Sequence, residues 1–239
     1  MGRPRSLPFV LVGGFALLLV GGIVLSLSSA PPLARQQLQD AAKATMSAPS
    51  FAIVVTDSVT SLQPTSPASP SQALAPVRIR VLYQAPDAVE ESEAEPGGAT
   101  ASVILIGSRS FRESNSQWTE LPLDKGQGAR AVSSTMIPLR AASNATEVTG
   151  QGGSYRFVPN QVQHFVGTVF GIDASEVSAP SLRAVVRGGY LTAETITAVF
   201  DHQRLALGLA FSAIGSAPPV SPPPVSPSSG PQSGAPATP

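Results

Sequence analysis

Hydrophobic residues are distributed unevenly along the chain, and the densest run lies near its beginning. No charged residue occurs between Arg5 and Arg35, and residues 7–28 are predominantly apolar. About 20 such residues in helical geometry cross the ~30 Å hydrocarbon core of a bilayer. Arg3 and Arg5 precede the run, so the positive-inside rule predicts a cytoplasmic N-terminus at residues 1–6, a transmembrane anchor at 7–28 and an extracytoplasmic remainder.

A cleaved signal peptide is the alternative interpretation of this run. A basic start, an apolar stretch and the small residues Ser26 and Ser28 are features of such peptides. Against cleavage, Pro31 would follow a cut after Ala30, and the run exceeds the ~7–15 apolar residues usual in a signal peptide. We therefore favour an uncleaved anchor. Both interpretations place the following domain outside the cytoplasmic membrane.

Beyond the anchor, the apolar pattern changes repeatedly between the helical period and the strand period. Helices are predicted at 33–48, from 137 to about 145, and from Asn160, which with Gln163 has the spacing of a capping box, to Gly171. The predicted strands are 51–59, 77–83, 101–106, 109–113, the Trp118 segment, 154–158, 182–187, 190–200 and 204–214. This order predicts an α+β domain over residues 31–216, in which one antiparallel sheet carries helices on one face.

Four polar segments interrupt these elements. Residues 60–76 and 124–132 are rich in Ser, Pro, Gly and Gln, and we expect loops there. The acidic run at 87–95 lacks the ligand spacing of an EF-type calcium loop, which favours a solvated loop over a cation site. Residues 217–239 are dominated by Pro, Ser and Gly and cannot bury a core, so a disordered tail is predicted.

Composition excludes several classes of function. With 15 basic and 15 acidic residues the net charge is zero, so no basic field attracts nucleic acid. There is no Cys and there are only 2 His, which argues against thiolate and histidine metal sites. No nucleophile elbow, zinc-protease helix or phosphate-binding loop occurs. We therefore predict a protein that is not an enzyme and that needs no cofactor and no metal.

Several local motifs together carry a resemblance to a known family. They are the Thr56-Asp57 strand end, Gln117-Trp118, Pro138-Leu139 with Ala141-Ala142, the Gly-Ser-Tyr-Arg-Phe run at 153–157, and the run at 211–215 before Pro218 and Pro219. In these motifs the chain resembles the LppX/LprAFG family of actinobacterial lipoproteins, whose fold is LolA-like. The resemblance covers roughly residues 33–220. The resemblance implies a curved antiparallel half-barrel closed by helices around an apolar cavity for acyl chains. It departs at the lipobox cysteine, which this chain lacks, so anchoring must differ.

The resemblance and the apolar strand faces together suggest lipid-binding positions. The candidates are Phe51, Ile53, Val55, Ile79, Val81, Phe165, Val169, Leu207, Leu209 and Phe211. For each of them the alternative is an ordinary core residue, and Trp118 likewise either lies over a cavity or fills a core.

We predict a membrane-anchored extracytoplasmic binding protein for a lipid, a lipoglycan or a lipidated molecule, acting in cell-envelope lipid handling. The alternative is an envelope protein–protein interaction module without a lipid ligand, which uses the C-terminal tail.

Overall fold

The computed structural model describes residues 32–62, 76–94, 100–114, 116–123 and 127–225. The predicted anchor at 7–28, most of the loop predicted at 60–76 and the tail beyond residue 225 lie outside these ranges. Within them, no helix combines the length and the apolarity that crossing a bilayer requires.

Four α-helices and eleven strands account for most of the described chain. The helices are α1 (Pro32–Met46), α2 (Gln127–Thr135), α3 (Ile137–Ser143) and α4 (Val162–Phe170), and a short 3-10 helix spans Ala174–Glu176. The first six strands are β1 (Ser50–Ser61), β2 (Val77–Gln84), β3 (Ala88–Ala94), β4 (Thr100–Ile106), β5 (Arg109–Ser114) and β6 (Gln117–Leu121). The other five are β7 (Ala145–Gln151), β8 (Ser154–Pro159), β9 (Ser178–Arg187), β10 (Tyr190–Phe200) and β11 (Gln203–Ser212).

All eleven strands belong to one antiparallel sheet, as the sequence predicted. Their order is β6-β5-β4-β3-β2-β1-β11-β10-β9-β8-β7, so two meanders meet where β1 pairs with β11. Consecutive strands are joined mostly by tight turns. The β10–β11 turn, for example, has Asp201 and His202 at φ of 43° and 57°, the left-handed conformation that two-residue hairpin loops require. Among the described strands, β6 and β7 form the two open edges of the sheet.

The helices occupy one face of this sheet, which confirms the predicted layering. We call the side that carries Phe51 and Ile53 the inner face and the side that carries Ala52 and Leu82 the outer face. The larger hydrophobic cluster joins inner-face residues to residues of α1, α3 and α4, including Leu38. A separate, smaller cluster contains only outer-face strand residues and Val220. Strands β6 and β7 lie at opposite edges, so the α2–α3 connection leads from one side of the sheet to the other.

The acidic segment and the glycine-containing segment were interpreted wrongly as loops. Residues 88–94 form β3, which pairs with β2 and β4 on both sides, and this pairing outweighs the low strand propensity of glutamate. Within residues 124–132, α2 begins at Gln127. A Cβ added to Gly128 would lie 2.5 Å from the carbonyl oxygen of Gly107, so glycine lets this helix approach the β4–β5 turn.

Two further local predictions differ from the structure around α4. Strand β7 occupies most of the connection between the second predicted helix and the strand at 154–158. The residue that precedes α4 is Gln161, at φ 53° and with no side-chain cap, so the capping box predicted from Asn160 and Gln163 does not form. The end of this helix at Gly171 is confirmed, because that glycine adopts φ 68° in the left-handed region.

The first part of the proline-rich segment lies against the outer face. The Ala217 backbone N–H donates to Ser50 Oγ at 3.1 Å, and the Val220 N–H donates to Gln84 Oε1 at 2.8 Å. Val220 is 8% exposed and joins the outer cluster, against which Trp118 also packs. Trp118 therefore lies on the face opposite the helices, in a core and not over the inner face.

Candidate functional site

Strand register brings the predicted site residues of the sheet together on one face. Val55 of β1 is paired with Ile79 of β2 and with Leu209 of β11. One step along, Ile53 is paired with Val81 and Phe211 in the same way. Because side chains alternate across a strand, these residues all point to the inner face.

The remaining predicted residues complete this surface. Phe51 and Leu207 lie on the inner face of β1 and β11, and Phe165 and Val169 lie on α4. All ten predicted positions belong to the larger hydrophobic cluster or pack against it. The ten positions therefore lie in or against one hydrophobic cluster, made of strand and helix residues.

Burial changes along this surface from one end to the other. Phe51 is 0% exposed, and Ile53, Val81, Leu209 and Phe211 are also buried. Toward the other end of the central strands, three residues on adjacent strands are only half-buried; they are Val55, Ile79 and Leu207. Beyond them Val77 is 37% exposed. On β1 and β2 the inner face therefore begins as a filled core and becomes partly exposed toward the other end, whereas Leu205 of β11 and Ala198 of β10 remain buried.

Aromatic rings close the buried end. The rings of Phe51 and Tyr83 stack with their centroids 4.7 Å apart, and Phe51 meets Phe211 edge-on at 6.1 Å. Both arrangements are favourable for aromatic pairs. Burial also raises the pKa of Tyr83. Three rings from three adjacent strands thus form a fixed wall at this end.

Helical cover is concentrated away from the central strands. Helix α1 packs on β7, β9 and β10, helix α3 packs on β8, and α4 packs on β8, β9 and β10. Helix α2 reaches β3, whereas among the described residues the helices make few contacts with β1, β2 and β11. The half-buried apolar residues of the central strands thus lie in the interval between the helices on either side. Phe165 of α4 is also half-buried and packs against the same hydrophobic cluster.

Besides Glu93, which is paired with Ile79, three carboxylates that the sequence interpretation did not select belong to the inner face. Asp57 follows Val55 on β1, Glu91 on β3 is paired with Val81, and Glu194 on β10 is paired with Leu209. Burial raises the pKa of all three, and raises that of Glu194 well above its ordinary value. The signal in the sequence was the alternation Glu194, Ile196, Ala198, which assigns the glutamate to an apolar face.

A cleft of about 490 Å³ lies elsewhere, between α1 and two hairpin turns. Its lining includes Gln37 and Asp40 of α1, together with Gly152, Gly189 and Tyr155. The Tyr155 hydroxyl donates a 2.6 Å hydrogen bond to Gln37 Oε1 and so links the helix to β8. None of the ten predicted site residues lines this cleft.

The fold and the site define a class of protein. It is an α+β domain in which one open antiparallel sheet carries helices on its apolar face. No family model matches the chain, and no curated protein matches it. Among solved structures, LprF from Mycobacterium bovis is similar at 13% identity over 82% of this chain and 99% of that one, with a TM-score of 0.46.

Two further solved structures show comparable likenesses. The lipoprotein LppX from Mycobacterium tuberculosis is similar at 12% identity over 80% of this chain and 100% of that one, with a TM-score of 0.46. A LolA superfamily protein from Nitrosomonas europaea is similar at 13% identity over 77% and 94%, with a TM-score of 0.31. LprF and LppX bear names of the family, and the third structure bears the name of the fold, to which the sequence resemblance pointed.

Proposed function

We propose that this chain is a non-catalytic binding protein for the acyl chain of a lipid, a lipoglycan or a lipidated molecule. The observation that carries the proposal is the half-buried apolar row of Val55, Ile79 and Leu207 on the inner face. It continues a buried core and lies where, within the part of the chain that the structure describes, helical cover is sparse. An alkyl chain laid along this row would remove its remaining apolar surface from water, which is favourable.

The alkyl chain of the ligand would make its apolar contacts with the side chains at the ten predicted positions. The half-buried ones would touch the ligand directly, and the buried ones would form the wall behind them. In the resembled family an acyl cavity is enclosed by a curved half-barrel, and we extend that arrangement to this chain as part of the proposal. Clefts lined by apolar side chains with a few polar groups are the usual form of such sites.

Adjacent valines on β1 offer a matched test. Val55 faces inward and Val54 faces outward, and both are half-buried. The full chain, its Val55→Asn variant and its Val54→Asn variant are purified identically, and retained acyl lipid is extracted and quantified by mass spectrometry. We expect Val55→Asn to lower the retained lipid about tenfold, since an amide replaces apolar contact, and Val54→Asn to leave it within about twofold.

Circular dichroism of the two variants checks that both remain folded. If the wild-type chain retains no acyl lipid above the level of an unrelated membrane protein, the proposed function is wrong. Equal losses in the two variants would show that lipid retention does not depend on the inner face, and would also contradict it.

We further propose that residues 7–28 hold the domain at the outer leaflet of the cytoplasmic membrane, with residues 1–6 in the cytoplasm. Only a few residues separate this apolar run from the start of α1 at Pro32. A fixed station for lipid in the cell envelope fits that spacing better than a carrier that leaves the membrane. Recovery of the mature chain from culture medium with an N-terminus near Ser29 would overturn the anchor.

A further inference from the structure

Glu194 is a buried carboxyl group on the inner face that takes no part in the proposed contacts with the acyl chain. Glu194 is 1% exposed in the middle of β10, flanked across the sheet by Leu209 and Ala184. Within the described parts of the chain, neither of its carboxyl oxygens has a hydrogen-bond partner. Thr45, an equally buried polar residue, differs in that its hydroxyl donates to the Ala41 carbonyl and accepts from the Leu191 N–H.

A buried carboxyl group without a hydrogen-bond partner costs free energy. Its surroundings decide whether it is ionised or neutral. Burial disfavours the ionised form and raises the pKa of Glu194 well above its ordinary value. The neutral group then presents one O–H donor and one carbonyl acceptor side by side. An apolar side chain of similar volume would avoid this cost, and therefore the carboxyl group calls for a partner that is not part of the described chain.

The position of Glu194 connects it to the apolar row. Leu209 separates it from Val55, and adjacent strands lie about 4.8 Å apart, so Glu194 and Val55 are on the order of 10 Å from each other. Two residues further along β10, Ile196 is paired directly with Leu207. Because Glu194 is 1% exposed under the helices that pack on β10, the polar end of a ligand must pass beneath that cover to meet it, and the alkyl chain could then lie over Leu207, Val55 and Ile79.

We propose that Glu194 is the polar anchor of the apolar site, and that it selects amphiphiles whose alkyl chain ends in a group that both donates and accepts a hydrogen bond. A hydroxyl group and a primary amide have this property. The inference rests on the proposed function, because it names the chemistry of the ligand at that same surface. It excludes as preferred ligands esters, which only accept, and plain hydrocarbons, which do neither.

The test is a competition among ligands of equal chain length. The full chain, held in an amphipathic polymer, is incubated with equimolar 1-hexadecanol, palmitamide, methyl palmitate and hexadecane, and then isolated again. Bound ligand is quantified by gas chromatography–mass spectrometry, with empty polymer as background. We expect the alcohol and the amide to be enriched at least about tenfold over the ester and the hydrocarbon, because only they satisfy both atoms of the carboxyl group.

Two variants assign any such preference to Glu194. Glu194→Leu should bind all four ligands with similar enrichment, since the pairing partner is gone while the apolar surface remains. Glu194→Gln should keep the preference, because its amide also donates and accepts. The wild-type competition and Glu194→Gln decide the question even if Glu194→Leu fails to fold.

The outcomes separate this inference from the proposed function. If the wild-type chain binds all four ligands equally, the polar anchor is wrong and apolar binding stands. If Glu194→Leu folds and keeps the wild-type preference, the selecting group lies elsewhere and the anchor is again wrong. If none of the four binds above background, the proposed function fails together with the inference.

Discussion

The two faces of the sheet are closed by different kinds of structure. On the inner face, Phe51 of β1, Leu38 of α1 and Leu139 of α3 are completely buried in one hydrophobic cluster of strand and helix residues. On the outer face, an extended segment at residues 217–225 supplies one buried side chain, Val220, and two backbone N–H groups that bond to polar side chains of β1 and β2. The inner face is thus covered by helices, and the outer face by a single narrow extended segment.

The two faces therefore differ both in how much they contribute to stability and in how accessible they are to a ligand. The inner face is large enough to be filled at one end, where the rings of Phe51, Tyr83 and Phe211 meet, and to remain partly open at the other. The outer cluster is small and owes its closure to a segment without secondary structure of its own. We therefore expect the inner core to dominate the free energy of unfolding and the outer cover to contribute a smaller, local part.

The largest expected effect is at the closed end of the inner face. Replacing Phe51 by Ala removes a fully buried ring that contacts two others, and should lower the free energy of unfolding by about 3–5 kcal/mol. Val77→Ala, at the open end of the same face, should change it by about 0.5 kcal/mol or less because Val77 is 37% exposed. Urea denaturation of both variants measures the contrast, and similar losses would show that the inner face is uniform.

A smaller effect is expected from removing the outer cover. A chain ending at Ser216 loses Val220 and both hydrogen bonds, and should be less stable by about 2 kcal/mol, the value of one buried aliphatic side chain. A chain ending at Val225 keeps these contacts and is the matched control. Equal stability of the two truncated chains would mean that the segment does not hold the outer cluster together.

The same pair of truncated chains also tests the alternative function, in which the protein is an interaction module that uses the tail. Deleting residues 226–239 tests partner binding without disturbing Val220, whereas a cut at residue 217 would also weaken the fold. Loss of an envelope partner with lipid retention intact in the chain that ends at Val225 would favour the interaction module.

The elements that the sequence predicted well are those with uninterrupted alternation or helical spacing. Strand β2 is an example, because Ile79 and Val81 face the core while Arg78 and Arg80 face outward. The strands β9 to β11 and the turns between them follow from the same signal. In these places local pattern and tertiary environment agree, so the residues alone identify the buried face.

The failures occurred where distant contacts decide the structure. Strand β3 is rich in glutamate, and only its pairing with β2 and β4 on both sides makes it a strand. Helix α2 contains Gly128, whose use as a contact with the Gly107 carbonyl depends on a turn some twenty positions away. The burial of Glu194 was missed for the same reason, since it depends on helices that cover β10.

The pH dependence of stability offers a finer test of the inner face. The pKa of Glu194 is raised in the folded state by burial, so between its ordinary value of 4.5 and its folded value the folded chain holds the extra proton. The wild-type chain should therefore lose stability relative to Glu194→Gln as pH rises above the ordinary value, by at most about 1.4 kcal/mol per pH unit. Below that value both states are protonated, and the difference should be constant.

Urea denaturation of the two chains from about pH 4 to about pH 8 measures this difference. The pKa values of Asp57 and Glu91 are also raised by burial, but these residues are present in both chains and their effect cancels in the comparison. A difference that does not change with pH would show that the Glu194 carboxyl group is not held neutral by the fold.

The smallest expected effect is spectroscopic and distinguishes the two faces directly. Trp118 is the single tryptophan of the chain and packs against the outer cluster. Its fluorescence should shift to longer wavelength in the chain ending at Ser216, because removing Val220 admits water to that cluster. Binding of 1-hexadecanol on the inner face should leave the emission maximum unchanged, since the sheet separates the ligand from the indole. A ligand-induced shift as large as that of the truncation would mean that the ligand reaches the outer face, which would remove the distinction between a binding face and a covered one.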